Sequence, residues 1–239
     1  MWQRLLRRRP VLQDVPGEWV WPVVLSGRTP TGMPIELRPL RAADGPAFRS
    51  VRRANLEWLS PWDATSPDPD APTRTFGDLV RQYETDAAAA RVLPLVIVSD
   101  DRIIGQVTAG SIVFGSFRSC YVGYWVSRSV AGRLVVPTAV ALLGDHLLGR
   151  VGLHRIEVNI RPENTASLAV VRKLGFRSEG RRPHYLHIDG DWREHLSFAL
   201  TLEDLDGESM GDRLVRLTRE AQPSHESLLR HTGDGPSTS

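Results

Sequence analysis

Two short stretches of this 239-residue chain combine residue types and spacing that could do chemistry. The first is Ser127-Arg128-Ser129-Val130-Ala131-Gly132-Arg133. It lies between an aromatic, β-branched run (Ser119–Val126) and an apolar stretch with helical spacing (Pro137–Leu148). A strand that turns into a helix N-terminus leaves backbone N–H groups without partners, aligned with the positive end of the helix dipole. Such a turn suits a phosphate or pyrophosphate. Pro137 is no obstacle in a first turn, because its missing N–H would have had no helical partner. The second stretch is Arg161-Pro162-Glu163-Asn164-Thr165-Ala166-Ser167, followed by a helical run ending Lys173-Leu174-Gly175-Phe176. Asn164 is placed as an N-cap with Ser167 in the first turn, and Gly175 as the helix stop. Read alone, each stretch is also an ordinary connection; most strand–turn–helix units bind nothing.

Other reactive groups are few. Cys120, the one cysteine, cannot form an internal disulfide, which fits a reducing compartment, and its apolar surroundings predict a buried structural thiol. No Cys/His spacing of a metal site is present, and no metal is expected. The formal net charge is +2, and every long basic residue except Lys173 is arginine. Without a basic stripe this is no argument for nucleic-acid binding. Apolar runs such as Leu134–Leu143 are shorter than the roughly 20 residues of a spanning helix, and no signal peptide is read at the basic N-terminus. A cytoplasmic location, with no membrane partner, is expected.

The elements that must position the two stretches follow from pattern. Trp19–Leu25 and Ile35–Leu40 read as short strands around a turn-rich SGRTPTGMP. Asp44 reads as the cap of a helix reaching Asn55, 60–73 as loop, and 75–90 as a second helix with Phe76, Leu79, Val80 and Tyr83 on one face. Strands are predicted at Leu93–Ser99, Arg102–Phe114, Ser119–Val126, His154–Ile160 and Trp192–Thr201, with helices at Pro137–Leu148 and Asn164–Leu174. Residues 1–17 read as a flexible basic arm, 18–205 as one domain, 206–221 as a surface helix, and 222–239 as a disordered polar tail. The alternation implies an α/β or α+β domain with a mixed sheet.

Taken together, strand, phosphate-type turn, helix, strand and N-x-x-S…K-L-G-F resemble the GCN5-related N-acetyltransferase superfamily. Three further motifs resemble its RimJ/RimL-type protein N-terminal acetyltransferases: Leu37-Arg38-Pro39-Leu40, Val122-Gly123-Tyr124-Trp125-Val126, and the run from Tyr185 to His195. The resemblance covers about Trp19 to Leu205. It implies a mixed, mostly antiparallel central sheet flanked by helices, with two parallel strands splaying apart. Acetyl-CoA would be the donor, its pantetheine arm pairing with the backbone of Trp125 and Val126, and one of those N–H groups facing the thioester oxygen. The amides of Gly132, Arg133, Leu134, Val135 and Val136 would hold the pyrophosphate. Asn164 would bind the pantetheine, and Arg172 or Lys173 the outer phosphate or adenine. Trp58 and Trp62 would wall the acceptor entrance or else cap the core, and Tyr185 would touch the acceptor.

The chain departs from the superfamily's pattern at several positions. The tyrosine that commonly protonates the leaving thiolate is replaced by Val171, which leaves Ser167 as acid or as a helix-start residue. The turn has Leu134 where Gly or Ala is usual and Ser129 at its first position, with Arg128 adjacent. A left-handed Leu134 would cost about 1–2 kcal/mol and imply weak coenzyme binding; a helical one would not. No carboxylate matches a base position; Glu157, Asp189 and His187 each also read as edge or turn residues, and Asp189-Gly190 as the hairpin turn. The leading reading is acetylation of a protein N-terminus beginning with Ala or Ser, by a monomer or homodimer. An α-amine with a pKa of about 8 demands less of a base than lysine at about 10.4. The alternatives are a small-amine acetyltransferase and an inactive coenzyme-binding sensor.

Overall fold

In a computed structural model that describes residues 17–68, 70, 72 and 74–221, apolar spacing resolves into eight strands and seven α-helices. The polar tail, and the basic arm up to residue 16, lie outside the described residues. In chain order the elements are β1 (Leu25–Arg28), β2 (Pro34–Arg38), α1 (Gly45–Ala54), α2 (Leu56–Leu59), α3 (Phe76–Ala88), β3 (Leu93–Ser99), β4 (Arg102–Val113) and β5 (Ser119–Val126). They continue with α4 (Val135–Asp145), β6 (Arg155–Ile160), α5 (Thr165–Lys173), β7 (Arg177–Ile188), β8 (Asp191–Thr201), α6 (Leu202–Leu205) and α7 (Met210–Glu220). The strands form one open sheet in the order β1-β2-β3-β4-β5-β6-β8-β7. Every neighbouring pair is antiparallel except β5–β6. The expected mixed, mostly antiparallel sheet with flanking helices is what the chain forms.

Helices cover the sheet unequally, and the sequence shows why. All seven residues of β3 are buried, which its unbroken apolar run requires of a strand covered on both faces. On one face Val96, Val98 and Ile103 pack with Phe48 and Val51 of α1 and Phe76, Leu79 and Tyr83 of α3. On the other, Leu95, Ile97 and Val107 join the larger core with Ala139, Val140 and Leu143 of α4, Leu168 and Val171 of α5, and Met210 and Leu214 of α7. Asp145, in the last residue of α4, accepts the amides of Met210 (2.6 Å) and Gly211 (3.1 Å) and so caps α7 from outside it. The helix read as lying on the surface therefore docks with its apolar stripe inside.

Two local expectations are corrected. The strand expected over Trp19–Leu25 begins only at Leu25 and runs through residues read as a turn. Trp19, Trp21, Val23 and Leu25 do alternate onto the core. However, the Trp19 indole N–H donates to the Ala87 carbonyl (2.7 Å), and Pro22 has no N–H for a ladder, so this alternation packs without pairing. Asp44 precedes α1 but its carboxylate does not cap it. It accepts from the Arg38 guanidinium (2.7 and 3.0 Å) and the Arg41 amide (2.8 Å), tying β2 to the start of α1. The Asp189-Gly190 turn is as expected, both residues having positive φ.

Burial alone would push the Asp44 carboxyl up, but Arg38 and the Arg41 amide outweigh it and hold it below the ordinary carboxylate range. A depressed folded-state pKa adds stability above the unfolded pKa of about 3.9, lost as pH falls through the folded value. Asp44→Asn is expected to cost about 2–3 kcal/mol at pH 7, since it leaves a nearly buried guanidinium half-paired. In urea titrations from pH 7 to pH 2 the gap between wild type and variant should narrow below about pH 4. A gap that stays constant would contradict this account of the pair.

Candidate active site

Among the described residues the one parallel pair breaks off early. β5 and β6 pair at Ser119↔Arg155, Cys120↔Ile156 and Tyr121↔Glu157, and not beyond. From Val122 to Val126 the β6-facing edge of β5 is open. Strand geometry fixes which groups line that edge, because successive residues direct their backbone N–H and C=O to opposite sides. The Ser127 amide donates to Ile104 beyond the end of the β4 ladder (2.7 Å), so Tyr124 and Val126 direct theirs into the gap. Trp125 does not: its carbonyl faces β4, so close that a Cβ on Gly105 would lie 2.5 Å from it. Trp125 thus presents no backbone to the gap, although the expected pairing with a pantetheine would require it; Tyr124 and Val126 do, and only the side chain of Trp125 reaches the cavity.

A cavity of about 690 Å3 runs through this gap. One arm is bounded by Gly132, Leu134, Val135 and Val136 at the start of α4 and by Asn164, Ser167 and Lys173 of the α5 segment. The other opens on the α1/α3 side, among Phe48, Arg52, Trp58, Trp62, Asp63, Tyr83, Gln106, Thr108 and Trp125. Trp58 is fixed by its indole N–H donating to the Val126 carbonyl (3.1 Å), and Trp62 lies beneath the Arg161 guanidinium (5.4 Å). Both tryptophans therefore wall the cavity. Asn55, buried at the end of α1, accepts the Arg128 amide (2.8 Å) and donates to the Ser127 hydroxyl (3.2 Å), joining that wall to the turn that enters α4.

In the turn, Gly132 (φ 80°) and Leu134 (φ 60°) are both left-handed. Among the described residues the amides of Gly132, Leu134, Val135 and Val136 make no hydrogen bond, while Arg133 donates to Val130 (3.3 Å) and does not line the cavity. Four N–H groups at a helix start, with open space where a Gly132 Cβ would be, suit a pyrophosphate. Leu134 is thus the left-handed case, for which the sequence implies weak coenzyme binding. The Thr138 amide (3.1 Å) and hydroxyl (2.8 Å) hold its carbonyl within the fold, which assigns the cost of about 1–2 kcal/mol to folding.

Asn164 caps α5, its carbonyl oxygen accepting the Ser167 amide (3.0 Å), which leaves its N–H2 group for a ligand. The Ser167 hydroxyl makes no hydrogen bond among the described residues. Beside it lies a phenol that the sequence reading missed: Tyr124 reaches from β5 to the Ser167 carbonyl (3.4 Å), and burial pushes its pKa up, so it stays protonated. The strand's aromatic pattern is visible in the sequence, but that α5 lies over the face to which Tyr124 points is a tertiary fact.

Other expected residues lie elsewhere. Lys173 lines the cavity; Arg172 does not. Tyr185 lies outside it, hydrogen-bonded to Asn159 (3.2 Å) and packed edge-on against His195. Glu157 is held by Arg155 and Arg182, Asp189 is the hairpin turn, and His187 bonds Thr65. Cys120 is buried, which pushes its thiol up to about 12, far from a nucleophile. Among the described residues no group of three or more His, Cys, Asp or Glu could hold a metal, and no helix is long and apolar enough to cross a membrane.

The chain that carries this site is similar to known proteins. The acetyltransferase (GNAT) domain family matches residues 35–177. The chain belongs to that family. The solved structure of Mycobacterium smegmatis RimJ in complex with CoA-disulfide is 36% identical, with a TM-score of 0.76, over 83% of this chain and 96% of that one. The [ribosomal protein uS5]-alanine N-acetyltransferase of Escherichia coli is 29% identical over 154 residues, 63% of this chain and 78% of that protein. The probable N-acetyltransferase YjcK of Bacillus subtilis is 26% identical over 183 residues, 76% of this chain and 98% of that protein. This GNAT chain is thus an acetyltransferase of the RimJ type.

Two substitutions separate folding from binding. Leu134→Gly should change coenzyme A affinity less than about threefold by calorimetry, whereas strain taken up on binding would make it roughly tenfold tighter. Asn164→Asp keeps the cap and loses the N–H2 donor. It should leave stability within about 0.5 kcal/mol and weaken coenzyme A about fivefold or more. Equal losses in both quantities would remove Asn164 from the site.

Proposed function

We propose that this protein transfers an acetyl group from acetyl-CoA to the N-terminal α-amine of a cytoplasmic protein, ribosomal or other, that begins with Ala or Ser. The observation that carries the reading is the state of the carboxylates lining the cavity. Among the described residues they are Asp63 and Glu163, and arginines already engage both, Arg52 with Asp63 (2.5 Å) and Arg161 with Glu163 (3.2 Å). Neither stands alone as the strong base a lysine would need. An α-amine, with a pKa of about 8, is appreciably neutral at pH 7.5 and needs only water to take its second proton. The name of the Escherichia coli relative, an alanine N-acetyltransferase, supports the same acceptor.

Acetyl-CoA supplies an activated acyl group as a thioester. The Val126 amide, turned into the gap, is the oxyanion contact for the carbonyl oxygen, a contact worth roughly 3 kcal/mol in other enzymes. The free amides of Gly132, Leu134, Val135 and Val136 hold the pyrophosphate, and the Asn164 N–H2 orients the pantetheine. As the N–C bond forms and the C–S bond breaks, the Ser167 hydroxyl protonates the departing thiolate and regains a proton from the water that took the amine's. The half-buried Tyr124 phenol packs beside Ser167. Trp58 and Trp62 guide the acceptor in.

Mass-spectrometric comparison of protein N-termini in cells with and without this chain should show a small set beginning with Ala or Ser that loses acetylation. No changed N-terminus would sink the assignment. With purified protein, Ser167→Ala should lower kcat for an N-terminal peptide about tenfold or more, with little change in KM. An unchanged kcat would leave Ser167 as a helix-start residue alone.

A further inference from the structure

On the floor of the acceptor arm lies a buried amide whose orientation is fixed. Gln106 of β4, 7% exposed, accepts from the Trp125 indole N–H (3.3 Å) and donates to the Tyr83 hydroxyl (3.0 Å) and the Thr108 hydroxyl (3.1 Å). An indole N–H is a donor only, so the Gln106 oxygen must face Trp125 and its N–H2 must face both hydroxyls. Each hydroxyl therefore spends a lone pair on Gln106 and keeps its own hydrogen. Among the described residues neither Tyr83 nor Thr108 donates that hydrogen to anything, and both line the cavity. The two amide hydrogens diverge by about 120°, which puts the hydroxyl oxygens roughly 5 Å apart, a span that one carbonyl oxygen with two lone pairs can bridge. Gly123, paired with Thr108 across the ladder, clears the space above them; a Cβ there would meet nothing within 4 Å.

We infer that Tyr83 and Thr108 form a carbonyl-recognition subsite for the acceptor, with Gln106 as the positioning residue that turns both hydroxyl hydrogens into the cavity. The inference rests on the reading of the acceptor as a protein N-terminus. There the first peptide carbonyl is one carbon away from the reacting amine. A lysine side chain or a simple alkylamine has no carbonyl at that distance, so the subsite selects amines that carry one. A bound acceptor that covers these two donors without accepting from them is also penalised.

The test compares turnover of an Ala- or Ser-initiated peptide with that of a primary alkylamine of similar size. Tyr83→Phe and Thr108→Val should each raise KM for the peptide about fivefold and lower its preference over the alkylamine by a similar factor. Gln106→Glu retains both hydroxyls but presents only acceptors, so Tyr83 and Thr108 would turn their hydrogens inward to it. It should lose as much peptide preference as the Tyr83→Phe/Thr108→Val double variant, a result that a merely structural glutamine would not give. If the wild type takes N-terminal peptides and the folded Tyr83→Phe and Thr108→Val variants keep its preference ratio, this inference falls and the proposed function stands. If the wild type acetylates no N-terminal peptide, both fall.

Discussion

The structure depends on one interaction that stops: the hydrogen bonding between β5 and β6, which ends after Tyr121↔Glu157. Unmade backbone hydrogen bonds inside a protein are costly, so an open edge persists only where other groups answer it. Here the Trp58 indole takes the Val126 carbonyl, and Tyr124 fills the opening with a phenol directed at α5. The Val126 amide is left facing the gap. The same gap joins the two arms of the cavity, so the thioester and the amine would meet where β5 and β6 part.

Rigid connections around the gap keep its walls in register. The Arg38–Asp44 pair sets the start of α1, and Asn55 ties the end of that helix to Ser127 and Arg128. The turn from β5 into α4 then carries two left-handed residues, of which only Gly132 tolerates that conformation without strain. Leu134 carries a small cost in the folded protein, in a turn whose Gly132, Leu134, Val135 and Val136 amides make no hydrogen bond among the described residues. An amide cluster shaped by the fold itself would lose little entropy on taking a ligand.

Local rules made much of this legible. β3 and β5 begin and end where β-branched and aromatic runs do, Asn164 caps α5, and Asp189-Gly190 turns the last hairpin. Each of these depends on neighbours in sequence. What could not be read depends on partners far along the chain. The alternation at Trp19–Leu25 resembles a strand until Trp19 is seen to bond Ala87, 68 residues away. Val122–Val126 reads locally as an ordinary strand; that its ladder to β6 is incomplete is implied by the family resemblance alone, not by anything in the strand's own pattern. Which of its amides face the gap is fixed only by the bond from Ser127 to Ile104, which turns Tyr124 and Val126 inward and Trp125 toward β4. The Tyr83–Gln106–Thr108 group is assembled from α3 and β4, with Trp125 of β5 fixing its orientation, and no local spacing announces it.

Amide hydrogen exchange at single-residue resolution tests the splay most directly, because the direction of each N–H in β5 decides its protection. Without ligand, the Val126 amide should exchange much faster than that of Trp125, which belongs to the β4 ladder, and acetyl-CoA should slow Val126 selectively. Equal protection of Val126 and Trp125 in the free protein, or no change at Val126 with saturating acetyl-CoA, would contradict the account.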